Sequence, residues 1–282
     1  MAHLTQRRPQ NVPGDIYVDS SCIDCDTCRW MAPDTFNRQG GQSAVYHQRA
    51  LQALLACPTA SIGTVEPPAE IKAVQASFPL PITEHVYHCG YHAESSYGAA
   101  SYVIQRPEGN VLVDSPRFAP PLVRTLEAMG GVRYLYLTHR DDVADHAKFQ
   151  AHFGCDRILH TDDISANTRD IEMPLAGQDA ISLAPDLTII PVPGHTKGHT
   201  VLLYDHRVLF TGDHLAWSER LQQLYAFRDA CWYSWEVLLE SMKRLRHPFE
   251  WILPGHGRRY HADAITMAQE LEKCITWMAT VA

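Results

Sequence analysis

Two sets of side chains in this sequence are of types that hold metals. The first is Cys22, Cys25, Cys28 and Cys57, in "SSCIDCDTCRW" and "LLACPTASIG". Three closely spaced thiolates in one loop can hold three corners of an iron–sulfur cubane, with the fourth ligand coming from elsewhere in the fold. Zinc is the competing reading, but structural zinc usually takes pairs of cysteines from two separate loops. C-x2-C-x2-C with a remote Cys-Pro therefore points to a [4Fe-4S] cluster. The second set is His139, Asp145 and His146 after "YLYLT", His195 in "PVPGHTKGHT", Asp213 in "LFTGDH" and His256 in "WILPGHG". Neutral imidazoles and carboxylates suit Zn²⁺, Fe²⁺ or Mn²⁺.

The second set needs a scaffold, and the surrounding pattern supplies one. Each of these residues follows an apolar, strand-like run that ends in a tight turn. A rigid β framework can aim such loop residues at one point. Strand-like runs "HVYHCGY", "SYVIQR" and "NVLVDS" come first, and "APPLVRTLEAMGG" reads as a helix with Pro near its start and Gly at its end. Further strands follow in "VRYLYLTH", "DRILHT", "DLTIIPVPG", "TVLLYDHRVLFTGD" and "WILPGHG". "SWEVLLESMKRLRH" and "ADAITMAQELEKCITWMAT" read as helices. Strands and helices alternate, so the class is α/β with substantial β content.

The 282 residues are 45% apolar, enough for a sizeable core, and the formal net charge of −8 offers no basic face for nucleic acid. No apolar run approaches the roughly 20 residues of a membrane span. The polar start "MAHLTQRRPQNVPGD" is no secretory signal, so a cytoplasmic protein is expected. Cys89, Cys155, Cys231 and Cys274 are scattered and read as ordinary thiols. The Pro-rich stretch 67–82 reads as a linker between a small domain, residues 1–66, and a larger one, residues 83–282.

"YVD", the triple Cys, "APDTF" and "CPTASI" together resemble the single-cluster bacterial-type ferredoxins over about residues 14–66. That resemblance implies a small α+β domain whose cluster carries single electrons. Asp24 and Asp26 lie between the ligands, so a low reduction potential is expected.

Downstream, "TH…DH", "PGHTKGH", "TGD" and "PGHG" occur in an order that resembles the metallo-β-lactamase fold superfamily, over about residues 83–265. The resemblance implies a four-layer αββα sandwich with its metal site at one edge. Most such proteins hydrolyse esters, thioesters, amides or phosphodiesters; some are iron oxygenases or diiron oxidoreductases. Carried over by position, His139 and His195 belong to a first metal. Asp145, His146 and His256 belong to a second, and Asp213 bridges the two. Asp145 is also the expected proton acceptor. His199, the second His of "GHTKGH", is expected to make a structural hydrogen bond.

The departure is "THRDDVADH", Thr138 to His146, two residues longer than the family pattern and lacking its second His. Aligned from the left, Asp141 takes that position and becomes a candidate ligand. Asp142 would then cap a helix starting at Val143. Aligned from the right, Val143 takes it, and Val cannot bind metal.

Three functions fit: a metallo-hydrolase of a small molecule, using hydroxide on the metal, with the cluster structural or redox-active; an iron-dependent oxidoreductase fed by the ferredoxin-like domain, with or without a separate redox partner; or a non-catalytic redox sensor. Neither nucleic acid nor membrane is expected as a partner. The aromatic-rich "HLAWSERLQQLYAFRDACWYSW" and "YHCGYHAESSYG", with His88 and His92, are candidate substrate walls, with core or interface packing an equal alternative for the first.

Overall fold

The computed structural model describes residues 1–37 and 47–281, with side chains throughout except at 47 and 48. The chain forms two compact units. The first comprises residues 1–133 and 144–154; the second comprises residues 134–143 and 155–282.

In the first unit, β1 (Ile16–Val18) pairs antiparallel with β2 (Ile62–Thr64). Helices α1 (Thr27–Met31) and α2 (His47–Ala56) pack with them over a small core of Val18, Phe36, Ala50, Ala53 and Ile62. Helix α3 (Ile71–Ala76) and strand β3 (Leu80–Thr83) follow, so the expected linker carries regular structure. Its prolines are compatible with that strand. Pro81 sits opposite Tyr87 on an edge strand, where a missing N–H costs no ladder bond on the open side. The strands β4 (Val86–His88), β5 (Tyr102–Ile104) and β6 (Val111–Val113) complete an antiparallel run. Helix α4 (Pro120–Ala128) starts on Pro and ends at Gly130 (φ +106), and α5 spans His146–Phe153.

Within this unit, hydrogen bonds join residues on the two sides of position 66. Arg117 donates to the carbonyls of Leu55 and Cys57, and His92 N donates to Ala56 O. Tyr97 Oη donates to Ile23 O. A long guanidinium satisfies helix-end carbonyls that the α2 terminus leaves open.

The second unit begins with β7 (Tyr134–Tyr136), which runs parallel to β8 (Asp156–His160) and β9 (Met173–Leu175). A six-stranded sheet holds β10 (Ile181–Ala184), β11 (Leu187–Pro191), β12 (Thr200–Tyr204), β13 (Val208–Gly212), β16 (Trp251–Pro254) and β17 (Tyr260–His261), in that order. Between β13 and β16 lie the hairpin of β14 (Ala216–Ser218) and β15 (Gln223–Tyr225) and the helix α6 (Trp235–Met242). Helix α7 (Ala264–Thr280) closes the chain, with Asp263 capping Ile265 N and Thr266 N. Ile190, Val201, Leu203, Leu209 and Ile252 of the sheet pack with Leu238, Met242, Met267 and Met278 of the two helices. No helix among the described residues is long and apolar enough to cross a membrane.

Candidate metal centre

Strand ends carry four of the second set. His139 lies just past β7, His195 past β11, Asp213 past β13 and His256 past β16. His139 and His195 are fully buried, and Nε2 of each has no hydrogen-bond partner among the described residues. Nε2 of His139 is 3.8 Å from Asp141 Oδ2 and 3.8 Å from Asp213 Oδ2. Nε2 of His195 is 3.6 and 3.7 Å from the same two oxygens. Four donors of one tetrahedral ion with bonds of about 2.1 Å stand about 3.4 Å apart. The four histidine-to-carboxylate distances are therefore compatible with ligands around a shared cation, and too long for hydrogen bonds. Asp141 is the most exposed of the four, which leaves the set reachable from solvent.

The surroundings disfavour charge on His139 and His199. Burial pushes His139 well below the usual histidine range, and His199 beside it adds to that. Burial likewise pushes His199 down to about 3. Burial alone would raise the Asp213 carboxyl; the charge of His256 and its hydrogen bond outweigh burial and hold it far below the usual range. His256 Nδ1 lies 2.8 and 2.9 Å from the two Asp213 oxygens. His199 Nε2 donates to Thr211 O at 3.1 Å, and its ring stacks on His139 at 4.7 Å. Neutral rings and ionised carboxylates are the protonation states that metal binding requires.

Backbone geometry enforces the arrangement. Gly212 takes φ +49, and a Cβ there would fall 2.5 Å from Thr138 Oγ1 and 2.9 Å from His199 Nε2. Asp163, which the sequence motifs do not include, ties two site loops together. It accepts from Arg140 N (3.1 Å) and Gly198 N (2.9 Å), and from Thr196 Oγ1. His195 O accepts from Trp232 N and Tyr233 N, which anchors the start of α6 to the same loop. His214 is a second residue outside the sequence reading. It is fully buried near His199, neither ring nitrogen has a hydrogen-bond partner among the described residues, and burial lowers its pKa.

Asp145 and His146 belong to the first unit, at the start of α5. Asp145 Oδ2 accepts from Phe118 N at 2.8 Å and Oδ1 pairs with Lys148 at 2.8 Å. His146 is buried. The helix starts at His146, not at Val143 as the capping argument has it, because Ala144 takes φ +26, outside any right-handed helix. Asp142 is accordingly no cap. It is buried, and one oxygen of it shares a 4.8 Å neighbourhood with donor atoms of His139 and Asp213.

In the first unit, Cys22, Cys25, Cys28 and Cys57 line one cavity together with Asp24, Asp26, Thr27 and Arg29. Burial and the neighbouring thiols push Cys25 and Cys28 upward, the state that a bound cation reverses. Among the described residues no three of these sulfurs lie within 4.8 Å of one another, whereas sulfurs on one zinc would stand about 3.8 Å apart. The donor set fits a cluster better than a single ion. Asp24 and Asp26 both take left-handed φ and both pair with Arg29, so their charge is offset at once. His88 and His92 are fully buried, 2.8 Å apart between Nε2 atoms, against Trp30 of α1. They pack beside the cysteine loop and are not an open substrate wall. In the other aromatic stretch, Trp217 stacks on Tyr260 and Trp235 is buried, whereas Trp232 is exposed and 6.3 Å from the His195 ring.

Comparison with known proteins accords with this architecture. Residues 18–64 match the family described as the 4Fe-4S single cluster domain of Ferredoxin I. A hydroxyacylglutathione hydrolase of Anaeromyxobacter dehalogenans (strain 2CP-C) is 35% identical over 104 residues, 35% of this chain and 40% of that protein. The match thus spans less than half of that relative. Among solved structures, VMB-1 aligns with a TM-score of 0.55 at 14% identity, covering 71% of this chain and 95% of the other. The DIM-1 metallo-β-lactamase gives 0.54 at 15%, covering 72% and 96%. A metallo-β-lactamase from Hirschia baltica gives 0.52 at 15%, covering 71% and 95%. The chain has the metallo-β-lactamase fold. Ahead of it stands a ferredoxin-type 4Fe-4S domain.

Proposed function

We propose that this chain is a metal-dependent hydrolase acting on a small-molecule ester, thioester, amide or phosphodiester. The observation that carries the reading is that His139 and His195 each stand at ligand spacing from both Asp141 and Asp213. The partial likeness to a hydroxyacylglutathione hydrolase favours an acyl substrate within that range. His139, His195, Asp141 and Asp213 would hold a divalent ion (Zn²⁺, Fe²⁺ or Mn²⁺), which would supply a lowered water pKa and polarisation of the scissile group.

The chain's own residues prepare the site. Thr138 Oγ1 bonds His139 Nδ1 at 2.9 Å and so turns Nε2 toward the carboxylates. Asp163 holds both histidine loops. Asp145 remains the proposed proton acceptor and His146 a proposed ligand; Lys148 and Phe118 N offset the effect of burial and keep Asp145 ionised. The 4Fe-4S domain serves as a structural brace or a redox element.

A second reading has one specific observation behind it. Two histidines and the Asp141 carboxylate form a set that suits non-haem iron, and the ferredoxin-type domain would supply electrons. The deciding experiment loads the protein with Zn²⁺, Mn²⁺ or Fe²⁺ without oxygen and assays acylglutathiones, p-nitrophenyl acetate and bis-p-nitrophenyl phosphate. Turnover with Zn²⁺ or Mn²⁺ supports hydrolysis. No turnover with any ion, together with an iron site reoxidised by oxygen, favours the oxidoreductase.

A further inference from the structure

We propose that Thr27 and His92 form a hydrogen-bond relay that ends on the sulfur of Cys25 and raises the reduction potential of the cluster. The inference rests on the reading of Cys22, Cys25, Cys28 and Cys57 as cluster ligands. It adds a residue, His92, that lies outside the ferredoxin-type match of residues 18–64.

The contacts run in an unbroken line within the first unit. Cys25 Sγ lies 3.4 Å from Thr27 Oγ1, which lies 3.2 Å from His92 Nδ1. Both of the latter atoms also face Gly98 O, at 3.3 Å from Thr27 Oγ1 and 2.6 Å from His92 Nδ1. On the far side of the ring, His92 Nε2 lies 2.8 Å from His88 Nε2. Thr27 is buried and both histidines are fully buried, so bulk water does not compete for these groups. The segment is fitted to the cysteine loop. Gly98 takes φ +85, and a Cβ there would fall 2.9 Å from Cys25 Cβ and 3.0 Å from its Sγ.

The donors and acceptors fix the direction of the relay. A carbonyl only accepts, so His92 Nδ1 carries a proton and donates to Gly98 O. In the neutral ring its Nε2 then accepts from His88. The Thr27 hydroxyl has one proton and two acceptors in reach, Gly98 O and Cys25 Sγ. Gly98 O is already served by His92. Bound to a cluster, Cys25 is a thiolate, which only accepts, and hydrogen bonds to a charged acceptor are the stronger ones. The hydroxyl proton therefore goes to sulfur. Burial raises the Cys25 thiol, and hydrogen bonds of the Thr27 side chain and backbone act against that. Reduction adds an electron whose charge spreads onto the sulfurs, so a donor there favours the reduced cluster. His92 is a positioning residue, acting on the potential through Thr27.

The test measures the cluster potential of the full chain by protein-film voltammetry, with iron per chain and cluster absorbance recorded for each protein. Thr27→Val keeps the shape and removes the donor, and Thr27→Ser keeps the hydroxyl. His92→Leu leaves Gly98 O to take the Thr27 proton. In T27V the potential should fall until the reduced-to-oxidised ratio at a fixed potential is about three- to tenfold smaller, equivalent to ~30–60 mV for a one-electron couple. T27S should stay at the wild-type value. H92L should shift in the same direction as T27V, and the double variant H92L/T27V should lie no lower than T27V alone. An unchanged potential in T27V, an equal fall in T27S, or a double variant that sums the two single shifts overturns the relay. If T27V holds no cluster, H92L decides, and a wild-type potential there overturns the proposal. Wild-type protein that assembles no four-iron cluster after anaerobic reconstitution sinks the cluster reading and the relay with it. Four irons in every protein with one common potential sinks the relay alone.

Discussion

Nε2 of His139 stands 3.8 Å from Oδ2 of Asp213 inside a buried site, and no hydrogen bond joins them. A neutral imidazole and a carboxylate left to themselves would close to about 2.8 Å. Held apart at ligand spacing, they leave room for an ion. Replacing Asp213 with Asn should weaken divalent-metal binding by at least tenfold, read by titration with a chromophoric chelator as competitor. Wild-type affinity in that variant would remove Asp213 from the ligand set.

Asp163 holds the loops that carry three of the proposed ligands, His139, Asp141 and His195. Asp163→Ala strips the partners from Arg140 N, Gly198 N and Thr196 Oγ1. Leaving buried donors unmade costs about 1–3 kcal/mol, so the midpoint of thermal unfolding should fall by several degrees. Supporting residues of this kind typically change metal affinity by about 10–100-fold. An unchanged melting curve and metal affinity would show the loops to be held by other means.

Stability should depend on pH in a defined window. His199 is buried neutral, and its pKa falls from the ordinary 6.5 to about 3 on folding. Between those values the unfolded chain binds a proton that the folded one refuses. The contribution is therefore full above about pH 6.5 and is lost as pH falls toward 3, at about 1.4 kcal/mol per pH unit. Burial depresses His139 and His214 in the same direction. Urea unfolding of metal-free protein at pH 7.5 and 5.5 reads the slope, and His199→Gln should flatten it.

Arg29 lies between Asp24 and Asp26 on the cysteine loop. The two aspartates alone would push the cluster potential down, and the paired guanidinium offsets them. Arg29→Gln should lower the reduction potential by some tens of millivolts, since removing a nearby positive charge disfavours adding an electron. Protein-film voltammetry of both proteins checks this. A potential that rises or stays put would mean that solvent screens the pair.

The parts of the site written in local pattern were legible from residues alone. His139, His195, Asp213 and His256 each follow an apolar run, and strand ends are local events. The cysteine loop is legible for the same reason. What sequence reasoning misses depends on backbone turns and on distant packing. Asp142 looks like a helix cap until Ala144 adopts a left-handed conformation and delays the helix to His146. Asp163 joins the site only because β8 ends beside the turn after β11. His88 and His92 resemble pocket residues, but Trp30 buries them. The Pro-rich stretch before residue 83 reads as a linker because proline also suits an edge strand.

The most direct test of the central claim is a metal analysis of protein purified without oxygen. The account predicts four irons per chain in the cluster, together with one or two further equivalents of zinc, iron or manganese. Those further equivalents should disappear in a His139→Ala, His195→Ala double variant that keeps its cluster absorbance. Wild-type protein holding four irons and no other metal, even after reconstitution with each ion, would contradict the account.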